Sequence, residues 1–96
     1  MTETVTILVV EDDAIIAHDI QRTLQRLGYR VPRSEMSGQN ALRAVEELRP
    51  DLVLMDIKLR GTLDGIDTAT LMRKAVDVPI VFLTSHSDEA TLARAK

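Results

Sequence analysis

Cysteine is absent from this chain of 96 residues, and tryptophan is absent too. Without thiols there are no disulfides, thiolate metal sites or cysteine nucleophiles, a composition that fits a reducing compartment. The aromatic side chains are Tyr29 and Phe82, too few for a base-stacking surface. Positive charge is not in excess: the formal net charge is -3, and the basic residues are scattered singly. That argues against direct nucleic-acid binding, which calls for clustered Lys and Arg. No apolar run approaches the length of a bilayer span. Met1 to Thr4 lacks the basic stretch and long apolar core of a signal peptide. The reading is of a cytoplasmic protein without a membrane segment.

What the chain does have is 45% hydrophobic residues, enough for a core and too many for disorder. Its length sets an expectation of a single domain over residues 1–96. Three short apolar runs each end on an oxygen-bearing residue. Ile7-Leu8-Val9-Val10 runs into Glu11-Asp12-Asp13, Leu52-Val53-Leu54-Met55 ends at Asp56, and Ile80-Val81-Phe82-Leu83 meets Thr84-Ser85. These runs lack polar alternation, which marks strands covered on both faces, as in a parallel sheet.

Helical periodicity fills the gaps. Asp13 is a suitable N-cap for a helix carrying Ile16, Ile20, Leu24 and Leu27 on one face, with Gly28 as its stop. Tyr29 to Glu35 is polar and contains Pro32, which cannot donate to a ladder, so it reads as a short edge strand. After Ser37-Gly38 a second stripe follows, Ala41, Leu42, Val45 and Leu48, closed by Pro50. Residues Ile57 to Leu63 form a loop and Asp64-Gly65 a turn. Ile66, Ala69, Met72 and Val76 make a third stripe, and Ser87-Asp88-Glu89 caps a fourth helix from Ala90 to Lys96.

The alternation of strands and helices predicts an α/β fold with a doubly wound parallel sheet. Right-handed crossovers and an edge position for the polar strand give the flavodoxin-like order 2-1-3-4. Ligands of such sheets bind beyond the carboxyl ends of the strands where the winding reverses. Here that point lies between the first and third strands, and it gathers Glu11, Asp12 and Asp56. A fourth strand this apolar calls for a further neighbour, so the chain reads as C-terminally incomplete.

Three clustered carboxylates repel one another, and a hard divalent cation such as Mg²⁺ is their natural partner. A carboxylate can also attack phosphorus and form an aspartyl phosphate. Asp56, alone at the end of the central strand, is the candidate nucleophile. The plainer reading is N-capping or solvated loop acids, and it suits Asp13. Thr84 or Ser85 could donate to a phosphoryl oxygen, or could simply cap a strand end. His18 and His86 have no second ligand at metal-binding spacing, and Met36, Met55 and Met72 read as core or loop residues.

In this order and spacing the acid pair, the central aspartate, Asp64-Gly65 and Pro79 to Ser85 resemble the receiver domains of bacterial two-component response regulators. The resemblance covers nearly all of the chain. It implies phosphorylation of Asp56 by a histidine kinase or a histidine phosphotransfer protein. It also implies Mg²⁺ bound by Asp12 and Asp56 directly, by Glu11 through water and by the backbone carbonyl of Lys58. Thr84 would be the switch hydroxyl, while Lys58 and His86 fall at variable positions that tune the lifetime of the phosphoryl group. Two departures from the pattern stand out. The loop after Asp56 lacks the usual proline and is one residue longer, and the family's fifth strand, its lysine and its last helix have no counterpart. Lys96 falls on the fourth helix and does not replace that lysine. A homodimer is left open.

Two other classes fit part of this pattern. One is a small Mg²⁺-dependent phosphohydrolase using Asp56, although the proton-donating acid wanted two residues later is Lys58. The other is a binding module, either for flavin, against which the few aromatics argue, or a receiver-like adaptor that takes no phosphate.

Overall fold

The computed structural model describes residues 4–83. Its elements are β1 (Ile7–Val10), α1 (Ala14–Arg26), β2 (Ser34–Glu35), α2 (Gly38–Leu48), β3 (Leu52–Asp56), α3 (Gly65–Ala75) and β4 (Ile80–Leu83). All strand pairs are parallel, and the sheet order is β2-β1-β3-β4. This is the doubly wound order that the apolar runs imply, with β1 and β3 side by side.

The continuous apolarity of the strands has a direct cause. Alternate side chains point to opposite faces, and both faces are covered. On one face Leu8, Val10, Val53 and Met55 pack with Ala41, Ala44 and Val45 of α2 and Met72 of α3. On the other, Ile7 and Val9 pack with Val31, and Ile20 and Leu24 of α1 lie against them. Each Leu, Ile, Val or Met among them contributes about 1.5–3 kcal/mol when fully withdrawn from water, and each Ala methyl less.

The helix ends follow local chemistry. The Asp13 carboxylate accepts from the amides of Ile15 and Ile16, the Ser37 hydroxyl from Asn40, and the Asp64 carboxylate from Asp67. Each satisfies an amide that the first helical turn leaves open. Arg49 closes α2 in the left-handed region at φ 49°, and Pro50 then prevents continuation.

Three sequence expectations need correction. The α1 stripe is rotated: Ala17 is buried, whereas Ile16 is 49% and Leu27 69% exposed. Ile20 and Leu24 do face the sheet, but Leu27 falls beyond the last helical residue. The second strand is far shorter than Tyr29 to Glu35, because only Ser34 and Glu35 pair with β1, apart from one bridge between Thr6 and Arg30. Pro32, with no amide proton, lies between those two points of pairing. Asp64-Gly65 is no turn but the N-cap and first residue of α3. Thr84, Ser85, His86, the cap at Ser87 to Glu89 and the helix from Ala90 to Lys96 lie outside the described residues. Among the described residues, no helix is long and apolar enough to cross a membrane.

Candidate functional site

The site is built by strand register. Ile7 pairs with Leu52 and Val10 with Met55, so the next residue of each chain segment, Glu11 and Asp56, leaves the sheet at the same level. Asp12 follows at once. Oxygens of Glu11, Asp12 and Asp56 lie within 4.8 Å of one another. The three carboxylates singled out in the sequence therefore meet where β1 and β3 end.

The surroundings of these acids differ. Glu11 is only 5% exposed, and its amide donates to the Glu35 carbonyl of β2 at 3.0 Å. Its Oε2 atom is buried and has no hydrogen-bond partner among the described residues. Asp12 and Asp56 are half-buried. One oxygen of Asp56, Oδ1, accepts from the Lys58 amide at 3.1 Å, which fixes the carboxylate and the start of the loop after it. Asp13 is an exposed helix cap, consistent with its plainer reading.

Burial pushes the Glu11 carboxyl from its ordinary 4.5 up to about 8. A shared hydrogen bond with Asp56 and the negative charges of Asp56, Asp12 and Asp13 act in the same direction. At neutral pH these effects favour the protonated form of Glu11. A second neutralising element was not apparent from the sequence. Arg60, in the β3–α3 loop, places Nε 3.2 Å from Oδ2 of Asp12. Such a contact across a loop leaves no periodic signal in the chain.

The loop is anchored on both sides of Arg60. Leu59 is buried, and Gln39 of α2 donates to the hydroxyl of Thr62. The Gly65 amide donates to the Ile57 carbonyl at 2.8 Å. No side chain fits at position 65, since a Cβ there would stand 2.0 Å from the Asp56 carbonyl oxygen. The glycine of Asp64-Gly65 is therefore what lets α3 begin directly beneath the acidic site. Thr68, fully buried, donates to the Asp64 carbonyl at 2.7 Å and completes the joint.

Of the remaining candidates, His18 is exposed on α1. Met36 is exposed and Met55 and Met72 are core. The roles suggested for Thr84 and His86 fall outside the described residues.

An oxygen-only donor set and a buried carboxylate oxygen without a partner suit a hard divalent cation such as Mg²⁺. A flavodoxin-like sheet with such an acidic pocket at its switch point defines the class: a signalling receiver fold. Residues 7–96 match the response regulator receiver domain family, and the chain belongs to it.

Among curated proteins, the chain is 35% identical over 92% of its length to the transcriptional regulatory protein YvrH of Bacillus subtilis. It is 37% identical over 94% of its length to the transcriptional regulatory protein PdtaR of Mycobacterium tuberculosis. It spans 37% and 43% of those two proteins, respectively. A solved signal receiver domain of a modulated diguanylate cyclase from Desulfovibrio desulfuricans superimposes with a TM-score of 0.89 at 39% identity, covering 97% of this chain and 74% of the other. A response regulator of the LuxR family from Aurantimonas gives a TM-score of 0.86 at 30% identity, over 97% of this chain and 67% of that one.

Proposed function

We propose that this chain is a phosphorylation-dependent switch of a two-component system, accepting a phosphoryl group on Asp56 from a histidine kinase or histidine phosphotransfer protein in the cytoplasm. It acts as a signalling domain rather than as an enzyme with its own turnover, and residues 1–96 belong to one receiver domain. The observation that carries this reading is the convergence of Glu11, Asp12 and Asp56, with one buried oxygen of Glu11 left without a partner among the described residues.

The residues divide the task. Glu11, Asp12, Asp56 and the Lys58 carbonyl would hold Mg²⁺. When bound, the ion offsets the negative charge of the acids and of an arriving phosphoryl group. The Lys58 amide, bonded to Oδ1 of Asp56, orients the carboxylate. An Asp56 oxygen forms the new bond to phosphorus while the donor's phosphorus–nitrogen bond breaks, and the imidazole leaves with its electron pair. Asp56 thereby becomes an acyl phosphate, adding roughly -1.5 to -2 of charge at the sheet edge. The Thr84 hydroxyl would donate to a phosphoryl oxygen and draw its segment inward, carrying the charge event to a partner surface.

Intact mass after incubation with acetyl phosphate or phosphoramidate and Mg²⁺ tests the assignment. A single phosphate adduct is expected, and Asp56→Asn abolishes it. An adduct that persists in Asp56→Asn overturns the choice of acceptor.

A further inference from the structure

Arg60 makes a contact that the phosphoacceptor role does not require. Its guanidinium reaches the Asp12 carboxylate at 3.2 Å, yet the arginine side chain itself is 91% exposed while that of Asp12 is 16% exposed. The arginine thus lies over the pocket from the solvent side and pairs with the more sheltered group. The backbone supports this placement. Leu59, just before Arg60, is buried, and Gly61, just after it, adopts φ 102°, a conformation natural to glycine. The Gln39–Thr62 contact then returns the loop to α2.

We propose that Arg60 is the resident counter-ion of the acidic pocket: it holds Asp12 in the absence of a divalent cation, is displaced when one binds, and so sets the pocket's affinity for Mg²⁺. The proposal rests on the reading of Glu11, Asp12 and Asp56 as a cation site. The unpartnered, buried Oε2 of Glu11 is the independent sign that these acids are arranged for a ligand. An Asp12 oxygen engaged by guanidinium is not open to an ion, and a divalent cation a few ångströms from Arg60 would repel it. The ion and the guanidinium thus compete for the same carboxylate. The arginine yields readily, because pairs with so exposed a partner are weak. Breaking the pair releases the middle of the β3–α3 loop from the β1–α1 segment, so cation occupancy is transmitted to the loop that leads into α3.

Calorimetric titration of Mg²⁺ into the chain and its Arg60→Gln and Arg43→Gln variants tests this. Arg43 lies on α2 and bonds to Asn40, so its replacement changes net charge equally without touching the pocket. Arg60→Gln is expected to bind Mg²⁺ about two- to fivefold more tightly than the unaltered chain, and Arg43→Gln is expected to match that chain. In parallel, the Arg60 Nε–H resonance of the unaltered chain should shift on saturation with Mg²⁺. If the chain binds Mg²⁺ but Arg60→Gln binds no more tightly than Arg43→Gln, or the Nε–H resonance stays in place, the counter-ion role is overturned and the cation site stands. If none of the three proteins binds Mg²⁺, the cation site itself is lost, and the proposal with it.

Discussion

Glu11 and Asp56 stand side by side because Val10 and Met55, the residues before them, are partners in the β1–β3 ladder. Burial and this pairing raise the Glu11 carboxyl to about 8, so the folded chain holds a proton that the unfolded chain, with a value near 4.5, gives up.

The sign of the pH effect follows. Between pH 4.5 and about 8 the folded state binds more protons than the unfolded state, so stability declines as pH rises through that window. Thermal melts in chelator should show melting temperature falling from pH 5 to 8. Glu11→Gln should flatten the profile and be more stable than the unaltered chain at pH 8, by on the order of 2–4 kcal/mol. A Glu11→Gln profile parallel to that of the unaltered chain would refute the raised Glu11 value.

Cation binding should be linked to the same proton, since a metal ligand must be deprotonated. Mg²⁺ affinity should rise between pH 6 and 8 and level off above that. Titration at pH 7 in two buffers of different ionisation enthalpy should give different apparent heats, corresponding to release of about one proton. Equal heats would contradict the linkage.

Asp12 and Asp13 are neighbours with separate tasks. Asp13 accepts from the first-turn amides of α1, so Asp13→Ala should cost about 1 kcal/mol in denaturant unfolding. Its Mg²⁺ affinity should stay within about twofold of the unaltered chain. Asp12→Ala should do the reverse and remove most of the binding, because it supplies an oxygen of the cluster.

Gly65 joins α3 to the site without a side chain. A Cβ at this position would press on the Asp56 carbonyl oxygen and on the Ile57 backbone, at 2.0 and 2.7 Å. Gly65→Ala should destabilise the fold by about 1–3 kcal/mol or more, as overpacking does. It should also move the amide resonances of residues 56–58 in nuclear magnetic resonance spectra. Unchanged resonances there would show that the joint yields elsewhere.

The sheet was legible because Ile7–Val10, Leu52–Met55 and Ile80–Leu83 are apolar without alternation, which a parallel sheet covered on both faces accommodates. Pro32 and its polar neighbours placed β2 at the edge, and the same proline shortened it. The stripes of α2 and α3 read directly, whereas α1 did not. Its contact face is centred on Ala17, whose single methyl group is a weak periodic signal beside the larger Ile16.

The meeting of Glu11, Asp12 and Asp56 follows from strand order alone. Their neutralisation does not. From sequence the repulsion called for a cation, but the folded chain also sets the Arg60 guanidinium against Asp12 and pushes the Glu11 carboxyl up. Both depend on side chains brought together across space, which no spacing rule records.

Gly38 opens α2 where a Cβ would come within 2.2 Å of the Thr68 hydroxyl and 2.9 Å of the Leu63 side chain. With so little clearance the start of α2 is seated directly on Thr68 of α3. The missing methyl group at Gly38 is the clearance that lets α2 start against Thr68 of α3 and Leu63 of the loop before it. A displacement of residues 57–64 would therefore meet α2 as well as α3, since Leu63 and Thr68 both close on the start of α2.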